Sequence, residues 1–94
     1  MHFRPRDDLV LVRPLKAEEL GPADRGADDD GYSQGIVEAV GPGRLIQDGS
    51  GRRVARDIQR KTHVWFRNHR AEQLTLGKTA YVLVYAEDIV GDRV

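Results

Sequence analysis

Short apolar runs, each ended by glycine, proline or polar residues, recur along this chain and define its predicted elements. Residues 9–12 form a continuous apolar run with valine at alternate positions, which is too short for a helix and predicts a strand buried on both faces. Residues 36–40, 63–66 and 81–85 are rich in β-branched and aromatic side chains and predict three further strands. The second of these four runs stops at a glycine-proline-glycine sequence that forces a turn.

A hairpin is predicted after that turn. Residues 44–47 and 52–54 flank the sequence Asp48-Gly49-Ser50-Gly51, which is typical of a tight reversal between two strands. Only residues 71–74 have helical character, and they are too few to form a helix. Several short strands separated by glycine and proline turns indicate an all-β barrel or sandwich.

Residues 16–34 do not fit this pattern. They make up about a fifth of the chain and contain three glycines, one proline and six acidic residues. Loops of this length are uncommon in compact domains and are usually functional or disordered. Because so few apolar groups cannot offset the entropy of ordering the segment, we expect a mobile loop. The alternative is a solvated linker without a partner.

The composition narrows the class of protein. At 94 residues the chain is long enough for one domain, which we expect to span residues 1–94. It has no cysteine, which excludes a disulfide scaffold, a thiolate zinc site and cysteine catalysis. Arg4, Arg6, Asp7 and Asp8 interrupt the apolar stretch that an export signal needs, and no apolar run is long enough to span a membrane. We therefore expect a cytoplasmic protein.

The formal net charge of zero hides a separation of charge along the chain. Residues 16–34 carry two cations and six acids, whereas residues 43–70 carry eight cations and two acids. Arginines interleaved with Trp65 and Phe66 would suit a barrel that binds single-stranded nucleic acid. The simpler interpretation, which we favour, is that the arginines face water. Adjacent strand residues point to opposite faces, so at least one of the two aromatic rings belongs to the core.

The sequence contains no recognisable catalytic or metal-binding motif, and it predicts a protein that is not an enzyme and has no cofactor. Ser33, in the sequence Tyr-Ser-Gln, and Ser50, in the sequence Gly-Ser-Gly, do not match a nucleophile elbow. The three histidines, His2, His63 and His69, lack metal-ligand spacing. Residues 28–30 are three consecutive aspartates, but they lack the alternating ligands and distal glutamate of a calcium loop.

Four segments together resemble the ten-kilodalton co-chaperonin family of the GroES type. The start of the chain has the Arg4-Pro5 pair, an aspartate three residues after the proline and a valine-rich strand. Residues 35–44 are similar to the second strand and glycine turn of the family, and Asp57-Ile58 precedes a similar strand at 64–66. Residues 82–84 and 87–90 resemble the closing strand and the terminal Asp-Ile element. The segments occur in the family's order from residue 3 to residue 90.

The resemblance implies an irregular β-barrel that assembles as a seven-membered ring and caps a GroEL-type chaperonin, which is the partner that binds ATP. Residues 16–34 lie where the family has its mobile loop, and residues 44–56 where a hairpin forms the roof of the folding chamber. Strand-forming segments at both termini would be unpaired edges unless a neighbouring subunit covers them. The implied residues are Leu20, Gly21, Pro22, Ala23, Asp24, Arg25 and Gly26 for chaperonin binding, Arg44, Asp48, Arg52 and Arg53 in the roof, and Phe3, Arg4, Pro5, Asp88, Ile89 and Val90 at the subunit interface.

The sequence departs from the family in two of these regions. The family's loop carries an aliphatic tripeptide, whereas Leu20 is the only large aliphatic residue between positions 20 and 26. Burial of one such side chain is worth about 1.5–3 kcal/mol, roughly a third of what a tripeptide gives. Tethered copies in a ring can compensate for weak single sites. The roof is also rich in arginine where an acidic roof is common. The alternative function is therefore a GroES-type ring that has lost chaperonin binding and serves another partner.

Overall fold

The computed structural model describes residues 3–16, 19, 31–54 and 57–93, and its regular structure is almost entirely β. A three-residue 3₁₀ turn, Ala86–Asp88, lies between the last two strands. The strands are β1 (Leu9–Pro14), β2 (Tyr32–Val40), β3 (Arg44–Leu45), β4 (Arg53–Val54), β5 (His63–Arg67), β6 (Glu72–Leu76), β7 (Thr79–Tyr85) and β8 (Ile89–Asp92). The all-β prediction is therefore confirmed.

Six of the strands form one antiparallel sheet in the order β6-β7-β1-β2-β5-β8, and β3 pairs with β4 in a separate hairpin. The first strand lies in the middle of the sheet, between β2 and β7. Its residues Val10, Leu11 and Val12 are all fully buried, which confirms a strand covered on both faces. The expectation that the N-terminal strand is an unpaired edge is wrong, because both of its edges are used within the chain.

The core contains side chains from four strands of the sheet. Its members are Val10, Val12, Val37, Val64, Phe66, Val84 and Ala86. The strand residues among them share one face of the sheet by register, and no long helix covers that face in the described part of the chain. The edge strands β6 and β8 do not pair with each other among the described residues, so the sheet is open. Phe66 is in the core at 1% exposure and its neighbour Trp65 is half-buried, as their alternation predicts.

One segment without a predicted element is a strand, and one sequence-based boundary is wrong. Residues 71–74 lie mostly within β6, where Leu74 and Leu76 are half-buried and the residue between them is exposed. This period-two pattern pairs with β7 across a turn at Gly77, a partner that local sequence does not reveal. The predicted loop 16–34 is also too long, because Tyr32–Val40 is a strand whose first residues pair with β5.

The predicted hairpin is present with shorter strands. Asp48-Gly49-Ser50-Gly51 forms the reversal, and both glycines have a positive φ, of 79° and 77°. The amide of Ile46 donates to the carbonyl of Arg52 at 2.8 Å and extends the pairing beyond β3 and β4. Residues 55 and 56 of the predicted roof lie outside the described residues.

Candidate functional site

The predicted chaperonin contact, residues 20–26, lies outside the described residues, but the chain leading into it is described. The Glu19 carboxylate accepts a hydrogen bond from the Lys16 amide at 3.1 Å and forms an ion pair with the Arg13 guanidinium at 3.1 Å. These two contacts, the amide first and the guanidinium second, lower the pKa of the Glu19 carboxyl below its usual value. Glu19 is therefore fastened to the end of β1.

An open groove of about 620 Å³ lies beside this fastening point. It is lined by Pro14 at the end of β1 and Leu15 just after it, and by Lys78 just before β7 and Ala80 within it. The groove thus combines apolar walls with lysine side chains at the place where the chain leaves the sheet.

The roof residues divide between the tip and the base of the hairpin. At the tip, the Asp48 carboxylate accepts hydrogen bonds from the Ser50 amide at 2.9 Å and from the Arg52 guanidinium at 3.0 Å. Hydrogen bonds from Ser50 and then from Arg52 lower the pKa of the Asp48 carboxyl. Arg44 is exposed on β3. The structure therefore joins Asp48 to Arg52 and leaves Arg44 apart from them along the hairpin.

The base of the hairpin is tied to the N-terminal segment through Asp7. Arg53 donates to the Asp7 carboxylate at 2.9 Å and to the Gly43 carbonyl at 2.8 Å. The Gly43 amide in turn donates to the Asp7 carbonyl at 2.7 Å. Asp7 has a φ of 51°, a left-handed conformation that is costly for a residue with a Cβ. These contacts set the direction in which the hairpin leaves the sheet.

The predicted interface residues near the C-terminus have different environments. The Asp88 side chain is only 3% exposed and lies 3.1 Å from Nε of Arg70. Ile89 packs against the core, while Val90, on edge strand β8, is 45% exposed. Asp88 thus faces its own chain, and Val90 is the member of this group that faces outward.

The predicted interface residues near the N-terminus lie in a separate place. Phe3 is half-buried and lines a pocket with Val40 and Arg60, Arg4 is exposed, and Pro5 is buried. The pocket beside Val90 has a different set of lining residues, namely Asp57, Ile58, Ala86, Ile89, Gly91 and Asp92. Within one subunit the two groups therefore form two surfaces.

Comparison with known proteins identifies the family. The family described as Chaperonin 10 Kd subunit matches residues 2–92. The chain belongs to this family. Its relatives include proteins named Co-chaperonin GroES from Micrococcus luteus, 29% identical over 94% of this chain and 91% of the relative, and from Arthrobacter sp. strain FB24, 31% identical over the same shares. The protein of that name from Dechloromonas aromatica is 30% identical over 97% of this chain and 96% of its own length.

Membership confirms the resemblance found in the sequence. The chain is a co-chaperonin with a small all-β fold of the GroES type, and a chaperonin is the kind of partner that the family implies. Family membership also makes it a non-enzyme, as expected. Within the described residues, no three His, Cys, Asp or Glu side chains come close enough to hold a metal ion. No described helix is long and apolar enough to cross a membrane.

The structure pairs much of the basic segment of this co-chaperonin with acidic groups. Arg53 binds Asp7, and Arg70 binds both Glu87 and Asp88. These three acidic residues lie outside residues 43–70. Guanidinium groups already held by carboxylates are less available to track phosphates, which weakens the nucleic-acid interpretation.

Sequence reasoning did not identify Arg67 and Arg70 as partners of Asp88. Their only signal was membership of the basic segment, and their carboxylate partner lies 18 residues beyond Arg70 in the chain. No local spacing rule joins residues that far apart, so the pairing became visible only in the folded chain.

Proposed function

We propose that this co-chaperonin assembles as a ring of identical subunits, seven in number, and caps a GroEL-type chaperonin in the cytoplasm. The cap closes the chamber in which the chaperonin folds proteins with ATP, and the co-chaperonin itself binds no cofactor. The observation that carries the proposal is the family match over residues 2–92, which includes the loop, the hairpin and both terminal segments. The whole chain forms one domain, residues 1–94, in this proposal.

The two sheet edges favour β8 as a strand that a neighbouring subunit covers. Strand β6 presents exposed polar residues, Glu72, Gln73 and Thr75, which protect an edge from pairing. Strand β8 presents Val90, one of the most exposed large apolar residues of the described chain. An apolar edge that is paired in a closed ring no longer promotes aggregation. The proposed subunit interface comprises Phe3, Arg4, Pro5, Asp88, Ile89 and Val90.

The proposed chaperonin contact is the loop between β1 and β2, with residues Leu20, Gly21, Pro22, Ala23, Asp24, Arg25 and Gly26. The contacts of Glu19 with Arg13 and Lys16 support this, because they join the residue before this stretch to the end of β1. Leu20 is the only large aliphatic side chain in the stretch, so it supplies most of the apolar contact in our proposal. The hairpin residues Arg44, Asp48, Arg52 and Arg53 form a roof over the chamber.

The test is binding to the chaperonin of the same source, in the presence of nucleotide, with a Leu20→Asp variant. Loss of a buried leucine is worth about 1.5–3 kcal/mol per site, so we expect at least a tenfold weaker complex. The control is Leu45→Asp, which makes the same change at a leucine that is 38% exposed on the hairpin. It is expected to bind as the wild type does.

Two results would contradict the proposal. Absence of any nucleotide-dependent complex with the wild-type protein would remove the capping function. Equal binding by the wild type and Leu20→Asp would remove the role of the loop. A wild-type ring without chaperonin binding would instead support the alternative function, in which the same fold serves another partner.

A further inference from the structure

A buried carboxylate is held by two arginines at the turn that precedes β8. The Asp88 side chain is 3% exposed and accepts a hydrogen bond from Nε of Arg70 at 3.1 Å. Nη1 of Arg67 lies 3.7 Å from the other carboxylate oxygen of Asp88. A buried charge is costly unless it is paired and hydrogen-bonded. The position of Asp88 therefore depends on these arginines.

Arg70 is itself fixed by more than one contact. Its Nη2 lies 2.6 Å from the Glu87 carboxylate, and its guanidinium stacks over the Tyr85 ring at 4.4 Å from the centroid. Contacts with Glu87 and then Asp88 raise the pKa of Arg70 above its ordinary value. Arg67 adds a hydrogen bond of 3.2 Å to the Glu87 carbonyl. Together the two arginines connect the end of β5 and the turn after it to the 3₁₀ turn Ala86–Asp88.

The element that follows this turn, β8, is an edge strand of four residues. Among the described residues it pairs with β5 alone, Ile89 packs against the core, and the Arg93 amide just after the strand donates to the His63 carbonyl at 2.8 Å. The pairing is interrupted, because Phe66 lies opposite Ile89 and Trp65 opposite Gly91, which leaves Val90 as an extra residue. A bulged residue is left out of the ladder and bends the strand. Because the bulge interrupts the pairing with β5 at Val90, the turn before β8 contributes to the direction of its outer edge.

We propose that Arg70, assisted by Arg67, is a positioning residue for assembly: it clamps Asp88 and thereby holds the outer edge of β8 where a second copy of the chain pairs with it. The inference rests on the proposed ring. It gives Asp88 an indirect role at the interface, in which its side chain braces the strand from inside the subunit while Val90 meets the neighbour.

The experiment compares the assembly of the wild type, Arg70→Met and Arg13→Met by sedimentation velocity over a hundredfold range of protein concentration. Methionine keeps much of the apolar length of the side chain and removes the charge. Arg13 is a matched control, since it also holds two carboxylates, those of Glu19 and Glu38, and its side chain is 36% exposed against 40% for Arg70. Circular dichroism at each concentration establishes that the chain is folded.

We expect Arg70→Met to be folded but to need at least tenfold more protein to form the ring, while Arg13→Met assembles as the wild type does. Arg70→Lys keeps the charge but cannot contact Glu87 and Asp88 in the same way, so we expect an intermediate shift. If Arg70→Met fails to fold, Arg67→Met replaces it, because that variant loses only the two weaker contacts, and the same direction of shift is expected.

Each remaining outcome has one meaning. A wild-type chain that is monomeric at all concentrations overturns the ring and, with it, the role of the clamp in assembly. A wild-type ring together with unchanged assembly of a folded Arg70→Met variant overturns only the clamp. When Arg67→Met is the variant tested, its unchanged assembly has the same consequence.

Discussion

Alanine at position 35 tests the close packing of β2 against β1. Gly35 is buried in β2, opposite Pro14 of β1 and Val64 of β5. A Cβ at this position would overlap Cγ1 of Val12 and would lie 2.7 Å from the carbonyl oxygen of Arg13. Val12 is fully buried and its β-branched side chain is stiff at χ1, so its methyl group has little room to move, and the carbonyl belongs to the backbone of the central strand. Relief of the second contact therefore requires the two strands to separate.

The expected cost of Gly35→Ala follows from this geometry. Overpacking of a well-packed core costs about 1–3 kcal/mol, while replacement of glycine by alanine regains about 0.4–1 kcal/mol through the unfolded chain. We expect a net loss of about 1–2 kcal/mol. In a domain of this size each kcal/mol lowers the melting temperature by about 4–8 °C. The variant should therefore melt roughly 5–15 °C below the wild type.

Urea unfolding followed by Trp65 fluorescence measures this change, because Trp65 is the only tryptophan and lies on β5 beside β2. The matched control is Gly91→Ala in β8, where a new Cβ would meet nothing within 4 Å. Measurements at two protein concentrations separate subunit stability from assembly. A Gly35→Ala variant as stable as the wild type would refute the close approach of β1 and β2 at this position.

Two further predictions concern the hairpin. Hydrogen bonds from Ser50 and then Arg52 lower the pKa of the Asp48 carboxyl, so the stability that this carboxylate contributes is present above the ordinary aspartate pKa and is lost as the pH falls through the lower pKa of the folded state. An NMR titration of the carboxyl group should find a depressed midpoint, and Ser50→Ala should move that midpoint back up. A midpoint that Ser50→Ala leaves unchanged would disprove the contact. Asp7→Ala and Asp7→Gly both remove the ion pair with Arg53, but only glycine adopts a φ of 51° without strain. The free energy of unfolding in urea should therefore be about 1 kcal/mol higher for Asp7→Gly than for Asp7→Ala. Equal stability of the two variants would contradict the strain at this position.

Several features of the fold could be predicted from local sequence because they depend on short-range chemistry. A four-residue apolar run is too short for a helix and too apolar for an exposed strand, so residues 9–12 predict a strand buried on both faces. The alternation of Trp65 and Phe66 placed one ring in the core, and the glycines at 49 and 51 supplied the positive φ of the hairpin turn. The ordered series of segments also sufficed for the family resemblance.

Other features depend on partners that are distant in the chain. The helical or extended state of residues 72–76 is ambiguous locally, and pairing with β7 decides it for the strand. Residues 32–34 are polar or aromatic and resemble the loop before them until β5 supplies their hydrogen bonds.

For the candidate interface, too, local sequence predicted one part and only the folded chain decided the other. The resemblance to the family's terminal Asp-Ile element assigns residues 88–90 together to a subunit interface. Only the folded chain separates Asp88, turned inward to Arg70, from Val90, left exposed on an edge strand. The physical reason is that burial and ion pairing depend on which strands become neighbours. That is a property of the sheet order, and no stretch of sequence contains it by itself.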